Sequence, residues 1–137
     1  MKLKQYLQLF KDKRSEDQET SCETMKLVED ALGQYPNSYE LLNLRGDLIQ
    51  LGSVDIPYEL SDALVSYQKA VEVNPNFSEG FESIGYYYDV IDIKLDLAEE
   101  AFRKAIELED RLHSYLGLGR VMSERGEPKE NLNRICK

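Results

Sequence analysis

Between Phe81 and Asp110 the chain twice sets large and small apolar residues at helical spacing, and this recurrence leaves little choice of architecture. Phe81, Ile84, Gly85 and Tyr88 fall at i, i+3, i+4 and i+7, and Ala98, Phe102 and Ala105 fall at i, i+4 and i+7. Each set is one apolar stripe of an amphipathic helix. Gly85, Ala98 and Ala105 allow two backbones to approach closely, so that Phe81, Tyr88 and Phe102 fill the remaining space. The pair predicts an α-hairpin. The stretch before it does much the same: Leu41, Leu44 and Leu48 predict a helix from about Ser38 to Leu51, and Ala63, Tyr67 and Ala70 a second one ahead of Pro75. No segment reads as a strand, and the expected fold class is all-α.

Size and charge narrow what such helices can do. A chain of 137 residues suits one continuous core. Apolar residues at 42% against 31% charged indicate an ordinary soluble chain and not a disordered one. The net charge of −9 repels phosphate backbones and anionic lipid, which disfavours nucleic acid and membrane surfaces as partners. No apolar run approaches the ~18 residues needed to span a bilayer. Met1 to Gln5 lacks the apolar stretch and small-residue cleavage site of a signal peptide. Cys22 and Cys136 lie near opposite ends of the chain, so reduced thiols and a cytoplasmic location are expected.

Taken in order, Leu3, Tyr6, Leu7 and Phe10 predict a short N-terminal helix over residues 2–13, followed by a solvated charged run from Lys11 to Glu19. Thr20 with Glu23 suggests a capping box for a second helix carrying Thr24, Val28 and Ala31. Asn37 with Glu40, and Asn76 with Glu79, repeat one cap after an extended proline turn and so mark a boundary between units. Gly52 is a candidate left-handed C-cap. Asp55 and Pro57 fall where a helix could start, so Ser53–Tyr58 is expected either to lengthen the next helix or to form a loop before it. Beyond Asp110, Tyr115, Leu118, Gly119, Met122 and Gly126 open a further unit, with Asn131 and Ile135 on its second helix.

The spacing of these stripes, from Thr24 to Ile135, resembles the tetratricopeptide repeat, whose period is about 34 residues. Two near-complete units span 38–75, with six residues inserted, and 78–110; they are flanked by a half at 21–36 and a truncated unit at 112–137, with 1–20 as an N-terminal helix and charged loop. The resemblance implies an α-solenoid of antiparallel helix pairs wound as a right-handed superhelix. It also implies a concave groove lined by the first helix of each pair, with partner-binding positions at Tyr39, Leu42, Asn43, Gly46 and Ile49. Glu79, Glu82, Tyr86 and Asp89 follow from the second unit, and His113, Leu116, Arg120 and Ser123 from the third. The family's clamp for a C-terminal carboxylate would fall on Leu42, Gly46, Ser83, His113 and Gly117, none of them lysine. Tyrosines and leucines beside Glu79, Glu82 and Asp89 better suit a basic or apolar peptide or helix of a partner protein.

Catalysis finds little support. His113 is the single histidine and has no nucleophile motif near it. There is no Gly-rich phosphate loop and no Cys/His set for zinc, and Asp89, Asp92 and Asp96 lack the glycine and closing Glu of a calcium loop. No cofactor or metal is expected; the three aspartates read as turn residues and a cap. Of Tyr86, Tyr87 and Tyr88, successive residues on a helix point about 100° apart. Tyr88 is expected in the core, Tyr86 in the groove and Tyr87 against a neighbouring hairpin. The leading expectation is a non-catalytic interaction module. The alternative is a structural subunit that self-associates through its ends, using Leu3, Leu7 and Phe10 or Leu132 and Ile135.

Overall fold

The computed structural model describes residues 1–16, 18–52 and 56–126. Among them regular structure is helical: α1 (Leu3–Ser15), α2 (Cys22–Gln34), α3 (Tyr39–Gln50), α4 (Leu60–Val73), α5 (Ser78–Tyr86) running into a π-helical turn (Tyr87–Ile91), α6 (Leu95–Leu108) and α7 (Leu112–Glu124). The chain divides into two compact units, Met1–Pro75 and Asn76–Lys137.

In the first unit α3 is the central helix, in contact with α1, α2 and α4. Its burial follows from composition: Leu41, Leu42, Asn43, Leu44, Gly46, Leu48 and Ile49 leave almost no polar face, so a helix made of them has to be covered on several sides. The expected inward set Leu41, Leu44 and Leu48 is buried, as are Ala63, Tyr67 and Ala70 of α4. Gly46 is where α3 and α4 close. A Cβ there would stand 2.5 Å from the Tyr67 ring, so only glycine admits the aromatic. The Tyr67 hydroxyl then donates to Asp47 at 2.7 Å and accepts from Gln50 at 2.8 Å, which satisfies its polar end within the same helix pair.

The charged run after Phe10 is more structured than its composition suggests. Helix α1 continues through it to Ser15, and Arg14 and Lys11 reach α3, at 2.8 Å from Asp47 and 3.9 Å from Glu40. Tyr6 and Phe10 are buried, with Gln34 of α2 donating to the Tyr6 hydroxyl at 2.9 Å. The N-terminal helix is therefore part of the first unit's core and not an open apolar end.

Helix boundaries differ from the caps read in sequence. Ser21, not Thr20, caps α2, accepting from the Thr24 amide at 3.1 Å. Thr20 is buried instead and pairs as an isolated bridge with Gly52, its amide donating to the Leu51 carbonyl at 3.1 Å. Ser38, not Asn37, caps α3, and α5 starts at Ser78, whose hydroxyl donates to the Ala105 carbonyl at 2.9 Å. Glu40 faces Lys11 and does not complete a capping box. Gly52 does not take the left-handed conformation; α3 ends at Leu51 in ordinary helical geometry, and the left-handed glycine is Gly126, after α7. A Cβ at Gly52 would strike Ile56, so closeness to that buried side chain sets the residue there. Of the insertion, Ser53, Val54 and Asp55 lie outside the described residues, and Ile56–Tyr58 precede α4 as a non-helical segment, so Pro57 starts no helix.

In the second unit α5 and α6 form a helix pair closed by the same device, and α7 lies against both. Phe102 is fully buried, and a Cβ at Gly85 or Gly117 would stand 2.7 Å or 2.4 Å from its ring. The ring therefore fills space that α5 and α7 each leave by omitting a side chain. Around it pack Ala98, Leu118 and Val121, with Tyr86, Tyr88, Leu95, Ile106 and Met122 at the margin. The inward stripe of α7 is Ser114, Gly117, Leu118 and Val121, and Leu118 alone of the expected set is buried; Gly119 meets open space and Tyr115 is exposed. The reason is steric, because Phe102 takes the space that Gly117 leaves.

Glycine substitutions separate close approach from mere helix propensity. Gly85→Ala should destabilise the protein by about 1–3 kcal/mol through overpacking on Phe102. Gly33→Ala, on α2 with nothing within 4 Å of the new methyl, should stabilise it by about 0.5–1 kcal/mol. Denaturant unfolding checks both, and equal effects at the two sites would refute the packing described.

Candidate functional site

Six of the residues expected to line a groove, Leu42, Asn43, Gly46, Ile49, Glu82 and Asp89, are buried, and helix register explains why. In the first unit Leu42, Gly46 and Ile49 fall at i, i+4 and i+7, on the side of α3 that Gly46 turns to Tyr67. Leu42 and Ile49 are accordingly buried, and so is Asn43, whose side-chain oxygen has no hydrogen-bond partner among the described residues. Tyr39 remains half-buried at the start of α3. Leu42, Asn43 and Ile49 are thus buried, where the repeat resemblance implied open partner-binding positions.

In the second unit Glu82, Tyr86 and Asp89 also share one stripe, and the structure gives that stripe an occupant from the same chain, helix α7. Glu82, buried, accepts from the Ser114 hydroxyl at 2.9 Å and lies 3.4 Å from each of Nε and Nη2 of Arg111. Tyr86 stacks edge-on against Phe102, with centroids 4.8 Å apart, and donates its hydroxyl to the His113 carbonyl at 2.6 Å. Burial, then the neighbouring Glu82 and Asp89, push the Tyr86 pKa up, which keeps the phenol protonated for that bond. Glu79 is half-buried in the first turn of α5.

Asp89 ends the stripe inside the π-helical turn. It is only 2% exposed, and Arg120 Nε lies 3.2 Å from its Oδ2. Neither carboxylate oxygen has a hydrogen-bond partner of good geometry among the described residues. Burial, then the adjacent Glu124 carboxylate, raise its pKa from 3.8 to about 6, against the pull of Arg120. Glu124, beside Asp89 and Arg120, is held below the usual carboxylate range, so Asp89 takes the first proton as pH falls. The reading of Asp89 as a turn residue or an open groove residue is corrected: it is a buried carboxylate against α7. Asp92 pairs with Lys94 at 3.4 Å in the exposed turn, and Asp96 pairs with Arg125. No group able to hold a metal ion occurs among the described residues.

Of the α7 positions expected in the groove, Arg120 and His113 are exposed but face this acidic stripe through their side chain and carbonyl respectively. Leu116 is exposed to solvent. With Leu112 and Tyr115 it forms an apolar face at i, i+3 and i+4, the three being 71%, 44% and 57% exposed in chain order. Tyr87 is buried, edge-on to Tyr88 at 5.6 Å. Sequence reasoning missed Arg111, Ser114, Leu112 and Tyr115 as members of the site. The i, i+3 pair Arg111 and Ser114 beside Glu82 was visible only in retrospect, because no local pattern assigns a helix its neighbour.

No family model matches the chain, and no curated protein matches it. The site has to be read from its own geometry. The stripe Glu82–Tyr86–Asp89 holds α7, and α7 presents Leu112, Tyr115 and Leu116 outward.

Two substitutions test this arrangement. Glu82→Ala should leave Ser114 and Arg111 without their buried acceptor, cost about 1–3 kcal/mol and speed amide exchange over Leu112–Glu124. Unchanged exchange there would remove Glu82 from the docking of α7. For Asp89 the sign follows from its raised pKa. Between the ordinary value of 3.8 and about 6 the folded chain keeps a proton that the unfolded chain has released, so stability falls as pH rises through that window. Asp89→Asn, which stays neutral, should melt higher than wild type at neutral pH, and the difference should shrink toward pH 4 and below; a gap independent of pH would show that Asp89 titrates normally.

Proposed function

We propose that the chain is a non-catalytic protein-interaction module, built in the manner of tetratricopeptide repeats, that receives an apolar helix or segment of a partner on α7. The observation that carries the reading is the exposed face of Leu112, Tyr115 and Leu116 on a helix whose other side is anchored by Phe102, Glu82 and Tyr86. A rigidly held helix with large apolar residues outward loses little entropy when a partner covers it. The preference for a basic partner is weaker than the sequence suggested, since Glu82 and Asp89 already face Arg111 and Arg120. Leu116 and the neighbouring His113 keep the part in binding that the sequence assigned them.

The absence of catalysis is part of the proposal. The titratable groups that converge, Glu82, Asp89, Glu124, Arg111 and Arg120, are engaged with one another, and the most perturbed of them is covered by α7. A cytoplasmic setting goes with this reading, as does the lack of a role on nucleic acid or membrane in a chain of net charge −9.

The same α7 face supports a second reading, self-association. Leu112→Lys combined with Leu116→Lys separates the two. Both positions are exposed, so melting should stay within about 0.5 kcal/mol of wild type. Partners captured by the wild-type chain from its source cell should be lost from the double variant. A dimer seen by sedimentation of the wild type and abolished in the variant would favour self-association, and identical capture by both proteins would overturn the α7 face as the binding surface.

A further inference from the structure

Within the first unit α2, α3 and α4 surround a cleft of about 290 Å³. Its apolar lining comes from Leu32, Leu42 and Val65, and its polar lining from Arg45, Ser66 and Lys69. Val65 stands out: it is 59% exposed in the middle of α4, where a β-branched side chain at the rim keeps part of the cleft apolar up to the solvent. The polar side is organised around Arg45. Its Nε donates to Glu29 at 2.6 Å, its Nη1 donates to the buried Ser66 hydroxyl, and its guanidinium carbon lies 5.3 Å from the Tyr58 ring centroid. The Ser66 hydroxyl in turn donates to the Asp62 carbonyl at 3.1 Å. These contacts hold the guanidinium in place through its Nε and Nη1.

Charge separates this cleft from the rest of the chain. Arg45 and Lys69 face the single carboxylate of Glu29, and Glu29 is already taken by Arg45. Lys69 has no ion pair among the described residues, so the lining carries one uncompensated positive charge in a chain of net charge −9. The cleft's volume lies at the lower edge of the range for small-molecule pockets, about 300–1,000 Å³. We propose that this cleft is a ligand site for a small branched aliphatic carboxylate, its alkyl group against Leu32, Leu42 and Val65 and its carboxylate between Lys69 and the Arg45 guanidinium. The site is independent of the α7 face, which belongs to the other unit.

Isovalerate is a suitable probe and isovaleramide its uncharged isostere. Titrated into the full chain with labelled methyl groups, isovalerate should shift the Leu32, Leu42 and Val65 resonances saturably, with a dissociation constant in the millimolar range set by so few contacts. Isovaleramide should bind more weakly, and Lys69→Glu, at an exposed position, should weaken isovalerate by about tenfold while leaving the melting temperature unchanged. Absence of saturable shifts, equal binding of acid and amide, or wild-type affinity in Lys69→Glu would each overturn the proposal.

Discussion

The close approach of a glycine backbone to an aromatic ring is the contact on which both units depend. Tyr67 lies against Gly46, and Phe102 lies between Gly85 and Gly117. A helix pair can pack at short range only if side-chain volume is removed from one helix where the other is largest, and a single added methyl at these positions would enter the ring. The two rings differ in what else they do. Tyr67 carries a hydroxyl that Asp47 and Gln50 satisfy, so the first unit couples its core to a polar network that also reaches Arg14 of α1. Phe102 has no polar end, and it joins three helices, not two.

Electrostatics then decide how α7 is held on that apolar base. Glu82, Tyr86 and Asp89 descend one side of α5 and its π-helical turn, and each meets a group of α7: Ser114 with Arg111, the His113 carbonyl, and Arg120. The first two contacts are satisfied hydrogen bonds. The third leaves a buried carboxylate poorly bonded, and its raised pKa is the thermodynamic expression of that deficiency. Asp89 is buried within the π-helical turn that continues α5. Holding one side of α7 in this way leaves Leu112, Tyr115 and Leu116 directed at solvent.

Much of the fold was legible because helices announce themselves by period. The stripes of α1, α2, α4 and α6 are local patterns, and they fall where the periodicity puts them; of the glycines that meet aromatic rings, spacing marks Gly85 but not Gly46 or Gly117. Caps were less legible. Asn37, Thr20 and Gly52 each had the right chemistry, but Ser38 and Ser21 stood one residue away with equally good chemistry, and the packing of Thr20 on Gly52 and of Ile56 on Gly52 settled the choice. On α3 the apolar residues are so many that period alone does not say which stripe meets α4, and Leu42 and Ile49, groove positions by the repeat resemblance, are buried.

The sequence by itself determined the all-helical class and the apolar stripes of α4 and α6, because each depends only on residue type and helical spacing; the stripe Glu82, Tyr86, Asp89 was implied by the repeat resemblance. Tertiary structure alone decided that this stripe is covered by α7, that Asn43 and Asp89 are buried and that the charged end of α1 docks on α3. Those outcomes rest on contacts between residues far apart in the chain, and spacing carries no information about which helix a given face will meet.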